Sequence, residues 1–339
     1  MIIVVGATSF IGMYTVDELV RNGKQVIATG RNATLGKKLE ELGARFVKLD
    51  ITRPQDFDQL PNEGVEGVIL LAALLPANAR ANLEDEENAA DYFRINCLGT
   101  VNVLEYCRRN GIKKVISSCS YGDVSGAWGA RRALTEDEPR SFSFTGDHAM
   151  YVITKNAAND TIEYYNQQHG LQGAVFRFPP VYGVGPHGTI LVNGKPYKSG
   201  IQTFIENAEA GRDIEIWGDP HIKRDIIYVK DVARAYRMAL ESDRTYGLYN
   251  MTSGTELDLE DQAKAVIEVF GKGRGSKIVY RPEKPNNTPS FLFSMEKAKR
   301  DFGFVPEYTD YLDMMRDYKQ ELESGRWSDL EDSADSRAE

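Results

Sequence analysis

The chain has 339 residues, 42% of them hydrophobic, and a formal charge of −9 at pH 7. That length suits one large domain or two smaller ones, and an acidic balance without a basic tract argues against nucleic acid as the main partner. Three cysteines (Cys97, Cys107, Cys119) lack metal-ligand spacing and are too few for a disulfide framework, and four scattered histidines add no metal site.

Residues 2–5, "IIVV", form a β-branched apolar run of the kind that makes a buried parallel strand. Met13, Val16, Leu19 and Val20 then recur at helical spacing up to Asn22-Gly23. Between them lies "GATSFIG" (6–12), so strand, glycine turn and helix follow in the order that a dinucleotide-binding turn requires. Free N–H groups and the dipole at a helix start favour a pyrophosphate. Gly6 permits the tight turn and Gly12 the close packing of helix on sheet. Ser9, standing where a third glycine is expected, adds a hydroxyl that can meet a phosphate oxygen. With a strand starting at residue 2, no signal peptide is expected before it.

"QVIATG" reads as the second strand. An acid at its end would bond the adenosine ribose and repel a 2′-phosphate. Gly30 stands there instead and Arg31 follows, which favours NADP over NAD. "LGKKLEELG" has helical spacing, and "ARFVKLD" is a third strand. Its Asp50 has two open roles, as acceptor for an adenine amino group or as a helix cap. "GVILLAA", a helical stretch from about 83 to 110, and "KKVISSCS" continue the alternation. The apolar run 68–77 is too short for a membrane span and is broken by Pro76. The pattern predicts an α/β fold: a doubly wound Rossmann sheet over 1–182.

The Gly/Pro-rich stretch 179–200 breaks that rhythm and opens a smaller C-terminal α/β lobe, assigned to 183–222 and 253–325. "KRDIIYVKDVARAYRMAL" reads as strand and helix, with 223–252 returning to the main sheet. Residues 326–339 are acidic and expected to be a disordered tail.

Tyr151 and Lys155 in "MYVITK" lie four apart, on one helix face. A tyrosine hydroxyl titrates near 10 and is a poor base at neutral pH. A neighbouring ammonium would favour the phenolate and make it usable. The pair gains weight from its place after a strand ending in "SSCS" and downstream of a dinucleotide turn.

Taken together, "GATSFIG", "LDIT", "LLAA", "INCLGTVNVLEYCRRNGIKKVISS", "LTEDEP", "YVITK", "RFPPVYGVG", "RDIIYVKDVARA", "LYNMTSG" and "MEKAKRDFGFVP" resemble the extended short-chain dehydrogenase/reductases of the NAD-dependent epimerase/dehydratase type, from Met1 to about Tyr318. The resemblance implies Tyr151 as acid/base and Lys155 as the holder of the nicotinamide ribose. It implies cofactor contacts from Gly6, Thr8, Ser9, Phe10, Ile11 and Gly12, from Arg31, Asn32, Asp50 and Ile51, and from Leu71, Ala72, Ala73, Asn96 and Ser118. It also implies a strand serine that bonds the reacting hydroxyl. Counting from "GIKK" without a gap points to Ser120, matching the loop with a deletion points to Ser118, and counting back from Tyr121 gives Ser117. Ser120 is preferred, since strand geometry shifts less readily than the loop beyond it.

Family members commonly act on nucleotide-diphosphate sugars, and Arg224 matches an arginine that contacts the diphosphate. Two positions depart from the pattern: Pro180 replaces an asparagine before "VYG", and a second diphosphate arginine survives at best as Lys284 or a shifted Arg281. Cys119 and His187 read as structural and loop residues. The expected activity is reversible hydride transfer at a carbinol carbon by an NADP-dependent nucleotide-sugar epimerase. The alternatives are an NADPH-dependent ketoreductase of a 4-keto sugar or other carbonyl, and a non-catalytic NADP-binding regulator. A cytoplasmic homodimer, joined through the helix bearing Tyr151 and its neighbour, is the expected assembly.

Overall fold

The computed structural model describes residues 1–76, 89–146, 148–186, 188–192, 195–286 and 289–330. The start of the expected helix at 83, His187 and the end of the expected tail (331–339) lie outside them. Six strands, β1 (Ile2–Val5), β2 (Val26–Gly30), β3 (Arg45–Lys48), β4 (Gly67–Leu70), β5 (Lys114–Ser120) and β6 (Gln172–Phe178), alternate with helices α1 (Phe10–Arg21), α2 (Ala33–Glu41), α3 (Ala89–Tyr92), α4 (Gly99–Arg109) and α5 (Ala149–His169). A single π-helical turn, Phe93–Leu98, joins α3 to α4. Beyond them come β7 (Val181–Tyr182), β8 (Thr189–Val192), β9 (Lys195–Lys198), α6 (Gly200–Glu209), β10 (Ile214–Trp217), β11 (Ile227–Tyr228), α7 (Val229–Glu241), β12 (Gly247–Asn250), α8 (Leu259–Phe270), β13 (Ile278–Arg281), α9 (Glu296–Phe302) and α10 (Tyr311–Ser324).

The main sheet has seven strands in the order β12-β6-β5-β4-β1-β2-β3, every pair parallel. This is the Rossmann winding, and it reverses direction between β1 and β4. Helices cover both faces. Ile3, Val5, Val68, Leu70, Val115 and Val175 pack on Val103 and Leu104 of α4 and Ile162 and Tyr165 of α5. Ile2, Val4, Ala28, Ile69, Ile116 and Phe176 pack on the side of α1 and α7, with Met13, Val16, Val232 and Tyr236. Burial on both sides is why these strands read as unbroken apolar runs.

The return to the sheet is made by β12, after α7. The strand before α7, β11, pairs instead with β7 in a small two-stranded ribbon. The second lobe holds the β8–β9 hairpin and the parallel pair β10–β13. Residues 326–330, read from sequence as the start of a tail, fold back on α1. Trp327 is 1% exposed, lies 4.3 Å from the Tyr14 ring, and donates its Nε1–H to Glu321 at 2.6 Å. Two large apolar residues, Trp327 and Leu330, outweigh the acidic composition around them. Among the described residues no helix is long and apolar enough to cross a membrane.

Candidate active site

A cleft of about 920 Å³ opens at the carboxyl ends of β1, β2, β4 and β5, where the winding reverses. Its floor is the turn after β1. Gly6 has φ +86°, and a Cβ there would strike the backbone N of Ala72 at 2.4 Å. A Cβ at Gly12 would lie 2.5 Å from the Gly6 carbonyl oxygen, so both glycines are required by close backbone approach. Ser9 caps α1, its Oγ accepting from the Gly12 N–H at 3.1 Å. Gly6, Thr8, Ser9, Phe10 and Ile11 line the cleft, while Gly12 packs behind them. Such a cradle at a helix start fits a dinucleotide pyrophosphate.

Arg31 and Asn32 border the cleft beyond β2, with Arg31 exposed. Asn32 also caps α2, accepting from the Thr34 and Leu35 N–H groups. Asp50 and Ile51 line the same end. Asp50 Oδ1 takes two bonds from Thr52, to its N–H at 2.9 Å and its hydroxyl at 2.7 Å. Partial burial opposes the Asp50 charge, but these bonds and the nearby Arg31 and Arg53 hold its carboxyl below the ordinary value. Asp50 thus closes a local turn onto Thr52 and does not cap the 3₁₀ turn Pro54–Gln59, whose N-cap is Arg53 without a side-chain bond; Oδ2 carries neither Thr52 bond. Leu71, Ala72 and Ala73 form the adjoining wall. Asn96 is 2% exposed and does not line the cleft; it clasps that wall from behind. Its amide accepts from Leu74 N–H at 2.7 Å, donates to Leu74 O at 3.1 Å, and donates to Thr154 Oγ1 on α5 at 3.1 Å.

Strand alternation separates the three candidate serines. Ser118 and Ser120 line the cleft, whereas Ser117 is 1% exposed and outside it. Ser120 Oγ accepts from Gly122 N–H at 3.0 Å, which fixes its rotamer at the strand end. Tyr151, in the first turn of α5, faces the same cavity, and Lys155 lies one turn on, 4% exposed. Burial raises the Tyr151 phenol above its ordinary value, helped by the neighbouring Cys119. Burial pushes Lys155 down to about 8. Cys119 is itself a buried thiol, pushed up to about 12 by burial and then by Asp123, so it is held as a neutral small packing group.

Arg224 lies outside the cleft lining. Its Nη2 donates to Tyr182 Oη at 2.5 Å and more weakly to Gln262 Oε1 at 3.4 Å. No carboxylate among the described residues pairs with it. Arg281 and Lys284 are away from the cleft and are both held by Glu215, at 3.0 and 2.6 Å. Pro180 lines the cleft and offers no side-chain hydrogen bond. Among the described residues no cluster of three or more His, Cys, Asp or Glu side chains is placed to hold a metal ion.

Several groups in and around the cleft carried no usable sequence signal. Tyr121 and Trp128 border the cleft and stack with Phe291 from the second lobe. Tyr236 of α7 is fully buried beside Phe176 and Phe178. Beneath the turn after β5, Asp123 and Arg177 form a buried ion pair at 2.9 Å, and Arg177 also donates to Asn250 Oδ1 on β12 at 3.1 Å. The alternation of β5 exposes none of these partners, because each is supplied by a distant segment.

The chain matches the model of the NAD dependent epimerase/dehydratase family over residues 2–252. A Methanocaldococcus jannaschii protein provisionally named UDP-glucose 4-epimerase is 31% identical over 91% of this chain and 93% of its own. A dTDP-4-dehydro-6-deoxy-D-allose reductase of a Streptomyces species is 27% identical, covering 90% of this chain and 91% of its own. The solved structure of the Thermus thermophilus UDP-glucose 4-epimerase in complex with NAD superposes with a TM-score of 0.71 at 24% identity, over 94% of this chain and 98% of that one.

Proposed function

This chain belongs to the NAD dependent epimerase/dehydratase family, and on that premise we propose that it is an epimerase of nucleotide-diphosphate sugars, working through a retained dinucleotide with NADP preferred over NAD. The observation that carries this reading is the single cleft lined by the glycine turn, Ser120 and Tyr151. The glycine turn suits the pyrophosphate, since Gly6 lets the backbone close against Ala72, whose N a Cβ would strike at 2.4 Å, and the turn opens α1 at the cleft. When bound, the nicotinamide supplies redox capacity at its C4, taking up and returning a hydride.

The chain's own residues supply the rest. Ser120 orients the substrate hydroxyl, and Tyr151 takes its proton as oxidation proceeds and gives it back on reduction. The raised Tyr151 value means that the phenol needs positive charge nearby to act as a base. Lys155, buried one turn away, supplies a fixed cation and a donor for the ribose hydroxyls. Arg224, a guanidinium bonded to Tyr182 and Gln262 and to no carboxylate among the described residues, suits a substrate phosphate. Gly30 and Arg31 support the NADP preference, whereas the Thermus relative carries NAD. Phe93 and Leu98, both about half exposed at the turn into α4, support association of two copies through α4 and α5.

The test is to denature freshly purified protein, identify and count the released dinucleotide by mass spectrometry, and then screen UDP- and dTDP-sugars for interconversion. Near-stoichiometric retention with no net consumption of reduced cofactor supports the epimerase. Empty protein that consumes NADPH one-for-one with a keto-sugar supports the second reading, a ketoreductase. The same Gly30–Arg31 pair and the likeness to a dTDP-sugar reductase favour that alternative.

A further inference from the structure

The stacked rings of Tyr121, Trp128 and Phe291 have no part in the chemistry above. Their centroids lie 5.4–5.6 Å apart and their planes within 18–24° of one another. Tyr121 directly follows Ser120, Trp128 ends the 3₁₀ turn that begins there, and Phe291 comes from the second lobe. The assembly is held firmly. Gly129 N–H donates to Ser290 O at 2.7 Å, Leu134 N–H to Leu292 O at 2.7 Å, and Phe293 N–H to the buried Asp225 Oδ2 at 2.9 Å. Phe291 is 3% exposed and backs the other two, so only Tyr121 and Trp128 reach the cleft. The Trp128 indole N–H is sheltered and has no hydrogen-bond partner among the described residues.

The position of this face decides what it can hold. Tyr121 and Trp128 line the same cleft as Ser120 and Tyr151, and Tyr121 follows Ser120 directly in the chain. A substrate with its reacting carbinol at Tyr151 therefore meets Tyr121 and Trp128 in the same cleft. In a nucleotide-diphosphate sugar, the group between the diphosphate and the reacting carbon is the pyranose ring. One face of that ring is mostly C–H, which matches a flat aromatic surface.

We propose that the Tyr121–Trp128 face, backed by Phe291, is the platform on which the sugar ring of the substrate packs beside Ser120 and Tyr151. This rests on the nucleotide-sugar reading, and it assigns the platform to the sugar rather than to the base or the diphosphate.

The experiment compares wild type, Trp128→Leu and Trp128→Phe by calorimetric titration with UDP-glucose and dTDP-glucose, each set against its own nucleoside diphosphate. Trp128→Leu is expected to weaken the sugar nucleotide about tenfold, the scale of one lost aromatic contact. The nucleoside diphosphate should change by less than about twofold, and Trp128→Phe should stay near wild type on both. Equal weakening of sugar nucleotide and diphosphate overturns the platform, as does no weakening of either. Wild-type protein that binds none of the four ligands overturns the nucleotide-sugar reading together with the platform. The thermal midpoint of Trp128→Phe, matched to wild type, shows that the stack is intact when the affinities are read.

Discussion

Gly30 and Thr8 occupy one space: a Cβ built on Gly30 would lie 2.4 Å from Thr8 Oγ1 and 2.8 Å from its Cγ2. The absent acid at the end of β2 is therefore tied to the identity of a residue in the dinucleotide turn. Gly30→Asp alone is expected to weaken NADP and NAD alike, by about tenfold, on the order of 1.4 kcal/mol. Adding Thr8→Gly should recover NAD but not NADP, whose 2′-phosphate would face the new carboxylate. Fluorescence titration of the single and double variants checks both steps.

Under the proposed NADP preference, Arg31, exposed at the cleft border, is the charge half of the same selection. Arg31→Ala should cost NADP binding about 1–3 kcal/mol, the range for losing a hydrogen bond to a charged group. NAD should be almost unaffected. Equal losses for the two dinucleotides, measured by titration, would sink the assignment.

Tyr151→Phe removes the only atom that the mechanism asks of this side chain. Turnover should fall by about 10²–10⁴-fold, the usual share of positioned acid–base catalysis, with dinucleotide binding retained. Single-turnover assays beside binding titrations separate the two, and full activity would remove Tyr151 from the chemistry.

Lys155 is held buried at a cost to stability. Its folded value is near 8 against 10.5 for an ordinary lysine. Below pH 8 both folded and unfolded chains carry the proton, and the penalty for a buried charge is fully present. Between pH 8 and 10.5 only the unfolded chain keeps the proton, so folding stability rises with pH across that window. Lys155→Met should be more stable than wild type near pH 7, by at most roughly 3 kcal/mol at 1.36 kcal/mol per pKa unit. That advantage should shrink towards pH 10.5 in urea melts, while activity is lost throughout.

Asn96→Ala removes three bonds that tie the wall after β4 to α5. Two backbone groups of Leu74 lose their partner, for a stability loss of about 2–3 kcal/mol. Dinucleotide affinity should fall as well, because Leu71–Ala73 form that wall. A lower thermal midpoint with unchanged affinity would mean that the clasp matters to folding alone.

Much of the cofactor half was legible because it is local. Gly6, Ser9 and Gly12 sit within one turn whose strand and helix announce themselves by periodicity, and Tyr151 and Lys155 are one helical turn apart. The serine was not legible to the same degree. Three neighbours could each have filled the role, and only the pleat of β5 against its partners turned Ser117 away from the cleft. The acidic C-terminus misled for a related reason: composition is averaged over a segment, but burial of Trp327 depends on one distant helix.

What the sequence determined by itself was the winding of the sheet, the glycine turn and the spacing of Tyr151 and Lys155, since each follows from backbone geometry over a few residues. What only the tertiary structure decided was which distant side chains meet. The stacking of Tyr121 and Trp128 on Phe291, the pairing of Asp123 with Arg177, and the loss of Arg281 and Lys284 to Glu215 all join segments tens to more than a hundred residues apart. Side-chain interactions act over a few ångströms, so no local pattern records which distant segment will supply a partner; the folded chain does.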